Sequence, residues 1–134
     1  MKSSVPPRPI LRNVALAFVT GGAICAVGEI VLLWLLGFGL QENRAIAFTA
    51  AIMIVAGATL TGLGVYDEIG RAGGMGSALP ITGFANSIVS PAMEFKREGF
   101  ILGVSAKMFN VAGPVIVYGL LSAALVTAAI LVFR

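Results

Sequence analysis

From Ala45 to Tyr66 the chain runs 22 residues without a charged side chain. About 20 apolar residues in a helix reach across a bilayer. Hydrocarbon offers no water to an open N–H or C=O, and a helix satisfies both groups within its own segment. The run therefore dictates a transmembrane helix. Similar runs lie on either side. Asn13 to Leu40 is apolar but for one internal carboxyl, Glu29, and a final run extends from Gly113-Pro114 to Phe133. Hydrophobic residues make up 58% of the chain and charged ones 11%, against about 25% charged in soluble domains. The sequence reads as an all-α integral membrane protein with three full transmembrane helices.

Several function classes fall away. The net charge is only +3 and no basic run interleaves with aromatics, which argues against nucleic acid. The cations read instead as orientation signals at a lipid bilayer. Histidine is absent and Cys25 is the single cysteine, so no internal disulfide and no Cys/His zinc site can form. Asp67 and Glu68 are the only adjacent acids, too few for a calcium cage of 6–8 oxygens. Gly62-Leu-Gly64 lacks the third glycine and the preceding strand of a dinucleotide fingerprint. No activated nucleophile or acid–base pair stands out. The chain reads as a non-enzyme with neither cofactor nor metal.

Residues 1–12 form a basic, proline-rich tail placed in the cytoplasm, and residues 13–134 form one membrane domain. In the first span Gly22, Cys25 and Glu29 share a helix face, flanked by Gly21 and Gly28. Small residues there admit a neighbouring helix. Glu29 has two readings: a protonated packing residue, or a subunit-contact or pathway residue, as intramembrane carboxyls tend to be. Gln41–Arg44 is a turn short enough to make the second span antiparallel to the first. Ala58 and Gly62 give that span a small-residue pair, and Gly119, Ala123 and Thr127 do the same for the last.

Between the second and last spans lies Tyr66 to Pro114, where the unusual chemistry gathers. Ala72 to Met93 is uncharged but rich in small and polar residues. If it enters and leaves on one side, seven cations face inward (Lys2, Arg8, Arg12, Arg71, Lys96, Arg97, Lys107) against Arg44 and Arg134 outside. A full crossing gives five against four. The positive-inside bias favours a central re-entrant pair of short broken helices. Helix starts are expected near Pro80 and at Ser90-Pro91, an end at Gly99, and a kink or restart at Gly113-Pro114. Gly73 to Ser77 forms a candidate backbone nest for an anion, or simply allows close packing. Candidate substrate-path residues are Arg71, Gly73, Gly74, Gly76, Gly83, Asn86 and Lys107.

Two strings carry a family resemblance: Thr61-Gly-Leu-Gly-Val-Tyr-Asp67 and Pro80-Ile-Thr-Gly-Phe-Ala-Asn-Ser87. Gly21-Gly22, Ile24-Cys25, Gly28, Glu98-Gly99, Leu102-Gly103 and Met108-Phe109 continue it. With these residues the chain resembles the SpoVAC/SpoVAE family of sporulation membrane proteins. Met75 and Glu29 depart from the family pattern, where a small residue and a glutamine are expected. The resemblance implies a channel subunit in the inner membrane of a forespore or spore. It would move dipicolinic acid, with calcium, inward during sporulation and outward during germination. It also implies two partners, a SpoVAE-type membrane subunit and a SpoVAD-type soluble dipicolinate-binding protein. Rival readings are a non-conducting scaffold for such a soluble partner, and a general mechanosensitive channel.

Overall fold

The computed structural model describes residues 9–133, which fold as a succession of helices. These are α1 (Ile10–Gly37), α2 (Glu42–Gly62), α3 (Val65–Gly73), α4 (Met75–Ala78) and α5 (Ile81–Glu94). A 3₁₀ turn (Phe95–Glu98), a π-helical stretch (Phe100–Ser105) and α6 (Ala106–Phe133) follow. Three helices are long and apolar enough to cross a membrane: Ile10–Gly37, Glu42–Gly62 and the continuous stretch Phe100–Phe133. The tail expected over residues 1–12 lies outside the described residues up to residue 8, and its last residues already belong to α1. The chain divides into two compact units, Met1–Asn86 and Ser87–Arg134, the division falling within α5.

In the first unit, α1 and α2 form a hairpin. The face of α2 turned inward repeats every fourth residue: Ala45, Met53, Gly57 and Thr61 are buried, with Thr49 half-buried among them. That spacing keeps one stripe in register along a helix. The half-buried stripe of α1 is Ala17, Thr20, Gly21, Ile24 and Gly28. Two expectations shift here. The close approach on α2 is made by Gly57 rather than by Ala58 and Gly62, since a Cβ on Gly57 would stand 2.8 Å from the Thr82 carbonyl oxygen, whereas one on Gly62 would meet nothing within 4 Å. On α1 the stripe Gly22–Cys25–Glu29 is exposed, one residue round from the packed face.

The second span ends earlier than the uncharged run. Gly64 adopts φ +74°, a left-handed conformation, and its N–H donates to the Thr61 carbonyl. Side chains other than glycine rarely adopt that conformation, so the helix stops there. The chain restarts as α3, which is amphipathic. Tyr66 and Gly73 are buried and Ile69 half-buried on one side, while Asp67, Glu68 and Arg71 are exposed on the other.

The break in the central element also moves. The start expected near Pro80 stands, with a break at Leu79-Pro80 between α4 and α5, whereas α5 runs through Ser90-Pro91 without restarting. The stretch Phe100–Phe133 likewise runs through Gly113-Pro114. Proline inside a membrane helix removes one bond, and surrounding groups can make good the loss. The helix end at Gly99 stands as expected, with φ +97°. In the second unit the reversal at Gly99 is tight. A Cβ on Gly103 would collide with the Phe95 carbonyl and approach Glu98 Cβ to 2.9 Å.

The interior is thin. Its buried apolar residues are Ala45, Met53, Tyr66 and Ala85. Large side chains such as Phe18, Ile30, Leu120 and Leu131 are exposed along the spans. In water that surface would be strongly unfavourable; hydrocarbon removes the penalty.

Candidate functional site

The central element from Gly73 to Asn86 is built by close backbone approach. A Cβ on Gly73 would stand 2.5 Å from Thr20 Cγ2, and one on Gly76 would overlap the Ala17 carbonyl of α1. A Cβ on Gly83 would overlap the carbonyls of Ser77 and Ala78. These three glycines let α4 and the start of α5 sit against their neighbours. Gly74 differs: at φ +51° and ψ −126° it turns the chain between α3 and α4, with open space where a side chain would be. The expected nest closes largely on itself. The N–H groups of Ser77 and Ala78 both donate to the Gly74 carbonyl, at 3.2 and 3.3 Å, and Ser77 Oγ–H donates to the same oxygen at 2.8 Å.

Behind this turn lies a buried polar cluster. Tyr66, Ser77 and Thr82 are 3%, 1% and 5% exposed. The Tyr66 hydroxyl donates to the Ser77 carbonyl at 2.8 Å. Its oxygen also lies 2.7 Å from Thr82 Oγ1. Tyr66 has one hydroxyl proton, so Thr82 must donate to Tyr66. Next to it, Thr61 Oγ1 lies 2.7 Å from the Gly57 carbonyl and 2.9 Å from Asn86 Oδ1. Thr61 too has one proton. Both contacts become full bonds when the Asn86 amide is turned to donate its N–H to Thr61. A hydroxyl buried without a partner costs about 1–3 kcal/mol, so these pairings specify how the break is closed. Sequence reasoning passed over Tyr66, Ser77, Thr82 and Thr61 as site residues. The available signal was four hydroxyls in a segment with little water to serve them.

Of the path candidates, Arg71, Gly73 and Gly74 come together along a groove of 460 Å³ that Ile10, Asn13 and Val14 also line. Arg71 pairs with Glu68 at 2.6 Å, with both side chains mostly exposed. Such a pair contributes little stability. Gly76 and Gly83 flank Ser77, and Asn86 sits at Thr61. Lys107 belongs to the second unit, where its ammonium lies 3.9 Å from the centroid of the Phe95 ring, a cation–π contact. Glu29 is exposed on α1, away from the buried cluster. Among the described residues no group of three or more His, Cys, Asp or Glu side chains could hold a metal ion.

Three apolar spans with a polar, glycine-built break fit a family of small membrane proteins, and the sequence comparison decides which. A profile of the SpoVAC/SpoVAEB sporulation membrane proteins matches residues 13–130. The chain belongs to the SpoVAC/SpoVAEB family. It is 46% identical over 127 residues to stage V sporulation protein AC of Bacillus subtilis (strain 168), covering 94% of this chain and 85% of that one. No solved structure matches. The matched region takes in the second span, the whole central break and all but the outermost three residues of the first and last spans.

Proposed function

We propose that this family member is a channel subunit for dipicolinic acid, with calcium, in the inner membrane of the forespore and spore. The observation that carries the reading is the path of the central element in the first unit. Gly73 and Gly76 pack on Thr20 and Ala17, in the first half of α1. Pro80 and Ile81 then share a groove with Cys25, Gly28, Ala50 and Met53, near the midpoints of α1 and α2. Thr82 and Asn86 descend past Gly57 and Thr61 toward the end of α2. In an antiparallel hairpin the start of α1 and the end of α2 lie on one side. This geometry supports a re-entrant element with its apex at mid-membrane and both limbs on the inner side. Irregular backbone at that depth is tolerated where protein or a water-lined cavity surrounds it.

Arg71 and Lys107 are the candidate cations for the dicarboxylate. Gly73, Gly76 and Gly83 shape the wall, Gly74 holds the turn, and Asn86 offers a polar amide. Glu29 is the proposed subunit-contact or pathway residue: it is exposed on α1, and a carboxyl in hydrocarbon is costly. The partners proposed are a SpoVAE-type membrane subunit and the soluble SpoVAD-type dipicolinate-binding protein.

One observation favours a second reading. The glycines of the break are packed against neighbouring backbone or side chains, except Gly74. A non-conducting scaffold that docks the soluble protein would have the same packing. Dipicolinate flux from vesicles holding this chain and its sister subunit separates the two. Arg71→Gln removes an exposed charge without disturbing the packed glycines. Reduced flux at normal complex levels supports conduction. Absence of flux from the wild-type complex, with the soluble partner still bound, moves the scaffold ahead.

A further inference from the structure

The helix Phe100–Phe133 is too long for the membrane it crosses. Its 34 residues extend about 50 Å at about 1.5 Å each, against a hydrocarbon core of about 30 Å. Fitting it by tilt alone needs about 53°, beyond the range of roughly 0–40° that membrane helices show. At 40° about 8 Å still lies outside the core. That excess belongs to the N-terminal end. Pro114–Phe133 carries no charge and is 20 residues long, which matches the core unaided at about 30 Å. Lys107 and Asn110 precede it, and before them comes the corner Phe95–Gly99 with Lys96 and Arg97.

Yet the protruding end is not polar. Phe100, Ile101 and Leu102 are 75%, 80% and 80% exposed. Successive residues point about 80–100° apart, so these three spread around roughly half the circumference. A helix that docks in a protein groove presents a stripe at i, i+3, i+4 and i+7 instead. Apolar side chains spread around a helix suit a medium that wraps it. Lys96 and Arg97 are exposed at the same corner and Glu94 and Glu98 flank them, giving both signs of charge.

From this we infer that Phe95–Ser105 is seated in the headgroup layer of a phospholipid bilayer. Lys96 and Arg97 contact headgroup phosphates, and Phe100, Ile101 and Leu102 lie at the same headgroup depth with lipid around them. Near 40° of tilt, the ~8 Å outside the core holds these residues among the headgroups and leaves Lys107 close to the core boundary.

The test uses the full chain with Cys25→Ser, reconstituted in phosphatidylcholine vesicles containing some phosphatidylglycerol. Nitroxide labels are placed at Ile101→Cys and Ala123→Cys, and their depth is read from collision with oxygen and with a water-soluble nickel chelate. The label at 101 is expected at headgroup depth and that at 123 deep in the core. Lys96→Gln combined with Arg97→Gln is expected to weaken retention of spin-labelled phosphatidylglycerol by roughly 25-fold, about fivefold for each cation facing the headgroups. A label at 101 as deep as that at 123 overturns the placement. So does one shielded from both quenchers, which would put a protein partner on this surface, or one reached only from water. Unchanged lipid retention overturns the phosphate contact. Depth is read without flux, so the outcome is independent of whether the chain conducts.

Discussion

Two glycines on the α1–α4 contact and one beside it make a graded prediction. At Gly22 an added Cβ meets nothing within 4 Å; at Gly21 it comes 3.0 Å from the Gly76 carbonyl oxygen; at Gly76 it overlaps the Ala17 carbonyl and lies 2.6 Å from that carbonyl carbon. Carbon atoms in contact prefer about 3.5–4.0 Å, so Gly76→Ala must push α4 off α1 by about 1 Å. The obstacle is backbone, which no rotamer change can clear. A gap of that size forfeits about a quarter to a half of each contact's dispersion energy, and overpacking costs about 1–3 kcal/mol. Helices in lipid associate largely through such packing, so Gly76→Ala is expected at the upper end, about 2–3 kcal/mol. That lowers the folded-to-unfolded ratio roughly 30- to 150-fold. Gly21→Ala should cost about 1 kcal/mol. Gly22→Ala should be neutral or gain up to about 1 kcal/mol from helix propensity. Reversible unfolding of the single chain in mixed detergent micelles measures all three. If Gly76→Ala costs no more than Gly22→Ala, the close approach of α4 to α1 is wrong, and with it the seating of the central break.

Further expectations concern other parts of the molecule. Tyr66→Phe strips a buried oxygen from the Ser77 carbonyl and Thr82; with interhelical bonds in membranes worth about 0.6 kcal/mol on average and at most about 1.7, the same unfolding assay should show a loss of about 1–3 kcal/mol, and a change near zero would show that water replaces the hydroxyl. Asp67→Cys and Lys96→Cys, each in a Cys25→Ser chain, should react with an impermeant thiol reagent from the same side of the membrane, and labelling from opposite sides would show that the central element crosses. Glu29→Gln should leave assembly with the sister subunit intact while Glu29→Leu impairs it, read by co-purification; a wild-type leucine variant would leave the carboxyl idle. Arg71→Gln should slow dipicolinate flux, with the difference shrinking at high salt as the exposed charge is screened.

The long spans were legible because one rule governs them: an uncharged run of bilayer length has to be helical. Their ends were less so. Ala45–Tyr66 reads as one run by charge, but a left-handed turn at Gly64 divides it, and charge does not report backbone handedness. The face of α1 was misread by one residue. Gly21 and Gly22 are equivalent in sequence, and contact with Gly76 selects Gly21. A helix restart read at Ser90-Pro91, and one allowed at Gly113-Pro114, do not occur, because Pro91 and Pro114 sit inside continuous helices. At the candidate site the glycines were visible as a cluster, but whether each makes a turn or a tight contact depends on what stands opposite. The hydroxyls of Tyr66 and Thr82 and the Ser77 carbonyl lie up to 16 positions apart in the chain, and only folding brings them together.

The one-way donation from Thr82 to Tyr66 to the Ser77 carbonyl makes the tyrosine hydroxyl proton a clock. It is shared with a carbonyl that is itself 1% exposed in its residue, so exchange with solvent deuterons has to wait for the turn at Leu79-Pro80 to open. Buried groups exchange only through such openings, at a rate set by the local opening free energy. The lifetime of that single proton, followed by solid-state NMR in vesicles, therefore reports what share of the time the break stands open. Whatever the chain passes or holds, that share caps the time available to any event that needs the break apart.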